Sequence, residues 1–336
     1  MDKPTLSDFD YRLPEELIAQ EPSIKRDHSR LLVYDRSDQS IEHTQFHHIG
    51  KHLPSNTTLV MNNTKVDECR LQWEEGKKEV FIVSSMADNP VTAMVRPGRQ
   101  FKKGAQHQLS ETCRLEVEEV LEDGLRRCRL DPDPSDPAWL PFFHTPFPPY
   151  IKPNEELADR YQTVYSRTPG SKAAPTAGLH FTPELLQGLQ NQGIRRTEVT
   201  LNVGLGTFAP VKSEDILSHK MHEEFFSVSP SALESIASAK HITAVGTTSC
   251  RTLESLAAAD LLPPYQTVSR ETGIFIHPGY TWKRTNALLT NFHLPKSTLL
   301  MLLAALVGVE EWKRIYEEAI RERYRFYSFG DAMLVL

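Results

Sequence analysis

Ile242-Thr-Ala-Val245 runs directly into Gly246-Thr247-Thr248-Ser249, and helical patterning resumes from about Arg251 to Leu261. A short apolar and β-branched run, a turn of small polar residues and then a helix make one strand–loop–helix unit of an α/β protein. A turn rich in Gly and hydroxyls ahead of a helix offers N–H and O–H donors to an anion or a ribose. Steric needs alone also favour small residues there.

The unit recurs on both sides. Downstream, Ala287-Leu-Leu-Thr290 reads as a strand, Asn291 to Ser297 as a loop and Thr298 to Val307 as a buried helix. Upstream, a strand over Thr197 to Val203 enters the tight turn Gly204-Leu-Gly206-Thr207, which lacks the third glycine of a dinucleotide fingerprint. Thr182-Pro183 and Ser229-Pro230 each place a capping hydroxyl before a proline at the first helical position, and Gly193 stops the first of these helices. If the three strands lie parallel in one sheet, their polar loops gather at its carboxyl edge, where α/β proteins bind ligands.

Residues 65–150 have a different texture. Val80-Phe-Ile-Val83, Thr92-Ala-Met-Val95, Cys113 to Val120 and Leu125 to Leu130 are short strand-like runs between polar turns. Eight prolines between Pro132 and Pro153 then exclude helix and central strand. The expected organisation is an α/β main domain from residues 1–64 and 151–336, interrupted by an inserted all-β domain at 65–150. A chain of 336 residues accommodates two domains of about 150.

The formal charge of -6 excludes a general polycation. The four cysteines, Cys69, Cys113, Cys128 and Cys250, form no Cys-x-x-Cys pair and read as free thiols. The N-terminus lacks the apolar stretch of a signal peptide, and Leu299 to Val309 is too short for the roughly 20 residues of a membrane span. Cytoplasm is the expected compartment.

Candidate chemistry concentrates in a few places. Asn291-Phe-His293-Leu-Pro-Lys296-Ser sets a histidine and a lysine between two apolar elements. Histidine is the side chain best matched to proton transfer near neutral pH. His180 lies among small residues before a capped helix, while His219, His222, Glu223 and Glu224 cluster without the His-Glu-x-x-His order of a metalloprotease. Arg325 to Asp331 mixes a cation, aromatics and a carboxylate, which suits base stacking or the packing of a last strand. Arg96, Arg99, Lys102 and Lys103 form a basic group with no acid between them. Residues alone therefore give an α/β enzyme with a β insertion and a polar, His-containing site.

These same segments resemble the S-adenosylmethionine:tRNA ribosyltransferase-isomerase family of queuosine biosynthesis. The resemblance runs nearly end to end, through Leu6 to Gln20, Arg26 to Val33, Tyr161 to Tyr165, Ala174 to Phe181, Gly204 to Phe208, Gly246-Thr-Thr with Arg251 to Glu254, Leu289 to Met301 and Tyr324 to Met333. It implies a barrel-like α/β main domain with a small β-barrel inserted. It also implies transfer of the ribosyl part of S-adenosylmethionine onto 7-aminomethyl-7-deazaguanine at the tRNA wobble position. The product is epoxyqueuosine, and adenine and methionine are released. S-adenosylmethionine is then a co-substrate, with no permanently bound cofactor, no metal and no membrane partner, and a monomer is the favoured state.

Such chemistry needs a base for the acidic proton beside the sulfonium, an acid to help adenine depart, and groups that hold the ribose. From side-chain chemistry and position within these blocks, proton transfer falls to His293 and His180, with Asp331 or Glu223 as alternatives. Substrate holding falls to Gly204, Gly206, Thr207, Gly246, Thr247, Thr248, Arg251, Asn291 and Lys296. The tRNA-binding set is Arg96, Arg99, Lys102, Lys103 and Arg325.

Two departures stand out. Asn202 occupies a position where the family usually has His, and Asn62 to Arg70 replaces Asn-Asp-Thr-Arg-Val-Ile-Pro-Ala-Arg, bringing Asn63, Asp67, Glu68 and Cys69. Two other classes fit parts of the chain: a divergent relative that binds RNA without catalysis, and a metal-dependent hydrolase built on His219, His222 and Glu223.

Overall fold

The structure is a computed structural model that describes residues 4–204, 211 and 214–336. Strands β1 (Arg30–Asp35) and β2 (Ser40–Gln45) form an antiparallel hairpin, and β3 (Thr57–Asn62) is buried along its length. A short β4 (Thr64–Val66) carries the chain out of this sheet.

Seven strands follow: β5 (Arg70–Trp73), β6 (Lys78–Ile82), β7 (Val91–Arg96), β8 (Gln106–Gln108), β9 (Arg114–Val120), β10 (Arg126–Asp131) and β11 (Phe143–His144). They make one antiparallel sheet in the order β11-β5-β6-β7-β10-β9-β8, curled as a half-barrel. Its concave side holds a core of its own, including Leu71, Val80, Ile82, Val91, Leu115, Val117, Leu130 and Trp139. Cys69, Cys113 and Cys128 are buried there as free thiols.

The chain returns through β12 (Thr168–Ser171), which pairs in parallel with β4. Here Asp67 accepts from the Gly170 N–H at 3.0 Å and meets the buried Lys172 ammonium at 3.3 Å. Asn63 accepts from the Thr200 hydroxyl at 2.7 Å and donates to Glu198 at 3.3 Å. An aspartate at 63 would set its charge against Glu198, so the amide suits its neighbours. Asn202 accepts from the Thr64 hydroxyl at 3.0 Å. The departures from the family pattern are thus locally satisfied.

The main sheet is completed by β13 (Arg195–Leu201), β14 (Glu224–Val228), β15 (His241–Val245), β16 (Val268–Thr272), β17 (Ala287–Asn291) and β18 (Ala332–Val335). Its nine strands run in the order β16-β14-β13-β3-β15-β17-β18-β1-β2. Alternate residues feed two cores, one on each face: Leu31 and Val33 of β1 join one, Leu32 and Tyr34 the other. Burial on both faces explains why the central strands read as unbroken apolar runs. Among the described residues, five α-helices cover these faces: α1 (Pro183–Asn191), α2 (Pro230–Ala237), α3 (Gly246–Ser255), α4 (Thr298–Val307) and α5 (Val309–Arg321).

Helix starts follow the capping chemistry. Thr182, Ser229 and Ser297 accept from the N–H groups of Leu185, Ala232 and Leu300 respectively. One boundary departs from expectation. Gly246 to Ser249, read as a turn ahead of a helix starting near Arg251, is itself the first turn of α3, and α3 ends at Ser255 rather than Leu261. Gly246 takes φ +85°, so the chain leaves β15 and enters the helix without an intervening loop. The strand expected over Thr197–Val203 lies two residues earlier. Helix α5 was not anticipated, although Trp312, Ile315, Tyr316 and Ala319 mark its buried stripe at helical spacing.

Candidate active site

Strands β13, β3, β15 and β17 are neighbours and all parallel. Their carboxyl ends therefore share one edge, as the polar loops implied. A cleft opens there, lined by Ala173 to Ala177, Val203, Gly246 to Thr248, Thr290 to Leu294, and Tyr327 with Ser328. Its interior leaves about 70 Å³ for the centres of water-sized molecules.

Buried Asn62 ties this edge together. Its amide donates to the Leu201 carbonyl at 2.9 Å and to the Thr248 hydroxyl at 3.3 Å, while its carbonyl accepts from the N–H groups of Leu201 and Thr64. Two strand ends and the first turn of α3 are thereby held in register. Asn62 heads the Asn62–Arg70 block but was not read as a site residue, although a polar side chain closing the buried run Leu59-Val-Met61 was the available signal.

His293 reaches the cleft from the loop after β17. Its Nε2 lies 2.9 Å from the Thr290 hydroxyl, its N–H donates to the Tyr316 hydroxyl at 2.8 Å, and its carbonyl accepts from Tyr11. Backbone and ring are both fixed. Burial pushes the imidazole down to about 3, so it is neutral at physiological pH.

His180 lies one layer behind. Its ring stacks on Phe46, Nδ1 meets the Ser29 hydroxyl at 2.7 Å and Nε2 meets the Asn291 amide nitrogen at 3.2 Å. Burial, reinforced by the Arg325 and Arg26 charges, also pushes it down to about 3. Asn291 faces the cleft, accepting from Thr176 at 2.9 Å and donating towards His180 and the Asp331 carbonyl. Since an amide nitrogen can only donate, Nε2 of His180 must be the acceptor and its proton sits on Nδ1.

Asp331 does not line the cleft. Its carboxylate accepts from the N–H groups of Arg30 and Arg325, closing the Arg325–Asp331 turn onto β1. Burial raises its pKa, against the pull of these hydrogen bonds and of the two arginine charges. Arg325 is engaged in the same turn, donating to the Glu21 carbonyl and the Ser23 hydroxyl. Glu223 is exposed, and Lys296 turns outward to Asp10 at 2.9 Å. Gly206 and Thr207 lie outside the described residues.

Next to Glu223 stands a residue the sequence reading passed over as a site. Glu224 opens β14, is buried, pairs with Arg251 of α3 and accepts from the Gly204 N–H at 3.2 Å. Three residues on from Arg251, Glu254 is wholly buried and accepts from the N–H groups of Lys283, Arg284 and Thr285 and from two hydroxyls. It holds the loop leading into β17. Among the cleft residues outside the expected set are two aromatics. Tyr150, hydrogen-bonded to Ser328, and Tyr327 pack their rings 4.7 Å apart at the cleft.

Arg96, Arg99, Lys102 and Lys103 are all exposed at the β7–β8 turn of the inserted sheet, with no ion pair among the described residues. Arg126 braces that turn by donating to the carbonyls of Phe101 and Gly98. Among the described residues, no three His, Cys, Asp or Glu side chains converge as a metal site requires, and no helix is long and apolar enough to cross a membrane.

Comparison with known proteins agrees with this picture. Residues 6–335 match the family model described as queuosine biosynthesis protein. The S-adenosylmethionine:tRNA ribosyltransferase-isomerases of Thermotoga petrophila and Thermosipho africanus are each 45% identical to the chain, over 98% of it and 99% of their own length. That of Carboxydothermus hydrogenoformans is 43% identical with the same coverage. Among solved structures, the S-adenosylmethionine tRNA ribosyltransferase of Thermotoga maritima superposes with a TM-score of 0.56 at 36% identity, covering 98% of this chain and 100% of that one.

Proposed function

The chain belongs to the queuosine biosynthesis protein family and is an S-adenosylmethionine-dependent tRNA ribosyltransferase-isomerase; from that premise we propose how its residues divide the work. The co-substrate is S-adenosylmethionine, and the acceptor is tRNA carrying 7-aminomethyl-7-deazaguanine at the wobble position. The ribosyl part moves to that amine and isomerises to the epoxycyclopentanediol of epoxyqueuosine, with release of adenine and methionine.

One observation carries the assignment: a neutral, buried imidazole at a cleft whose lining combines hydroxyls, an amide and small residues with Tyr150, Tyr327, Phe292, Leu294 and Leu299. The sulfonium makes the adjacent C–H acidic, and an uncharged base can approach that cation without repulsion. His293 is the group placed to take that proton, by its position at the cleft; the burial that keeps the ring neutral also makes it a weaker base than a free imidazole. In the tautomer whose Nε2–H donates to Thr290, the lone pair stands on Nδ1, which has no hydrogen-bond partner among the described residues. Gly246, Thr247 and Thr248 hold the ribose oxygens through the first turn of α3, and Tyr150 with Tyr327 offers a ring surface to adenine.

His180 and Asp331 are positioning residues. The first sets the Asn291 amide and the second closes the turn that carries Tyr327 and Ser328. Glu223 and Lys296, which face away from the cleft, take no part in the chemistry. Arg96, Arg99, Lys102 and Lys103 grip the tRNA backbone, giving an acidic protein a local basic face. Residues 65–150 act as the inserted domain between the two parts of the catalytic one, and the curl of the seven-stranded sheet supports a barrel-like reading of that domain. The protein works in the cytoplasm as a monomer.

The test mixes protein, S-adenosylmethionine and tRNA with or without the deazaguanine amine and follows adenine by mass spectrometry. Adenine formed only with the amine-bearing tRNA is expected. Tight tRNA binding with no adenine would contradict the reading and point to a non-catalytic relative.

A further inference from the structure

A side chamber opens beside the main cleft, lined by His219, Met221, His222, Glu224, Arg251, Thr298 and Leu299. Leu299 lines both spaces, and Gly204, bonded to Glu224, follows Val203 of the cleft wall. The chamber is therefore a neighbour of the cleft, with Leu299 common to both walls.

Two of its walls are opposite charges. Arg251 and Glu224 are 6% and 5% exposed and pair with each other. Removing an ion pair from water costs several kcal/mol per ion, so a pair facing a cavity is a poor choice for stability alone. Arg251 also has donors to spare. A guanidinium carries five N–H groups, and among the described residues they find three acceptors: Glu224, the Ile274 carbonyl and the Thr272 carbonyl.

We propose that this chamber receives the amino-acid end of S-adenosylmethionine, with Arg251 binding its carboxylate and Glu224 facing its ammonium. The proposal rests on the reading of the main cleft as the S-adenosylmethionine site. A zwitterion brings one charge of each sign, and the buried pair offers the complement of both. Met221 and Leu299 supply apolar contact for the methylenes between sulfonium and α-carbon. Specificity follows, because a ligand without the carboxylate leaves the spare guanidinium N–H groups without an acceptor. The same chamber is then the exit route for methionine.

Calorimetry on the full-length protein tests this with three probes: S-adenosylmethionine, its decarboxylated analogue and 5′-methylthioadenosine. Native protein is expected to bind the decarboxylated analogue at least tenfold more weakly than S-adenosylmethionine. Arg251→Gln should erase that difference by weakening S-adenosylmethionine alone. Should that variant not fold, Glu224→Gln, which keeps an acceptor for Gly204, is expected to weaken S-adenosylmethionine while leaving 5′-methylthioadenosine within twofold. Equal affinity of native protein for S-adenosylmethionine and the decarboxylated analogue would overturn the chamber proposal and leave the cleft reading standing. Binding of neither S-adenosylmethionine nor 5′-methylthioadenosine would overturn both.

Discussion

At the carboxyl edge of the main sheet, Asn62, Asn291, His180 and His293 are buried, and the side chain of each is tied to defined partners. At the β7–β8 turn of the inserted sheet, Arg96, Arg99, Lys102 and Lys103 project into solvent. The first region gains geometry at the cost of desolvation, and its charges are suppressed or paired. The second keeps full charge and gives up fixed geometry. A reaction that moves protons at one carbon needs the former, and a grip on a phosphate backbone needs only the latter. Single changes should therefore be severe and salt-independent in the cleft, and mild, cumulative and salt-dependent at the turn.

The largest effect is expected at His293. Removing a positioned general base typically costs 10²- to 10⁴-fold, so His293→Ala should slow adenine release by that order. His293→Gln, which retains a partner for Thr290, should fold as the native protein does and be equally slow. Asn291→Ala comes next. It leaves the Thr176 hydroxyl and Nε2 of His180 without their partner, a penalty of about 1–3 kcal/mol in urea unfolding. A loss of roughly a hundredfold in rate should accompany the displaced loop.

Neutralising Arg96, Arg99, Lys102 and Lys103 together should lower the slope of log affinity for tRNA against log salt by about 3, on the single-strand value of roughly 0.7 per contact. Filter binding between low and moderate salt checks this. An unchanged slope would move the tRNA surface elsewhere.

The smallest effect is on stability in acid. His180 and His293 both stand at about 3 when folded, against about 6.5 when unfolded. Between those values the unfolded chain binds more protons, so stability is lost as the pH falls below about 6.5. At pH 5 each histidine removes about 2 kcal/mol. Replacing either by Gln should flatten the dependence of the urea midpoint over pH 4–6.5, and native-like steepness in the variant would refute its share.

The two regions also differed in how far they could be read from sequence. The basic turn was plain, because four cations without a neighbouring acid are visible in one stretch of chain. The strand–turn–helix units were equally plain, since β-branched runs and Ser/Thr-Pro caps report on local backbone. His293 could be picked out by its setting between two apolar elements. What could not be seen was the layering. His180 and Asp331 looked like reactive groups, yet both end up behind Asn291, because the depth of a residue in the site is set by contacts across more than a hundred residues of chain. Glu224 and Glu223 are adjacent carboxylates on a strand, and only the pleat decides that one is buried against Arg251 and the other is exposed. The start of α3 at Gly246 depended on a left-handed φ that composition permits but does not demand.

The division between the two regions is tested most directly by single-turnover adenine release at saturating S-adenosylmethionine and saturating amine-bearing tRNA. Native protein, His293→Ala and the fourfold neutralised variant are compared in one buffer. The neutralised variant should release adenine within about twofold of native once tRNA is saturating, while His293→Ala stays slower by a hundredfold or more. A His293→Ala rate equal to native would contradict the account, and so would a neutralised variant that stays slow when fully bound to tRNA.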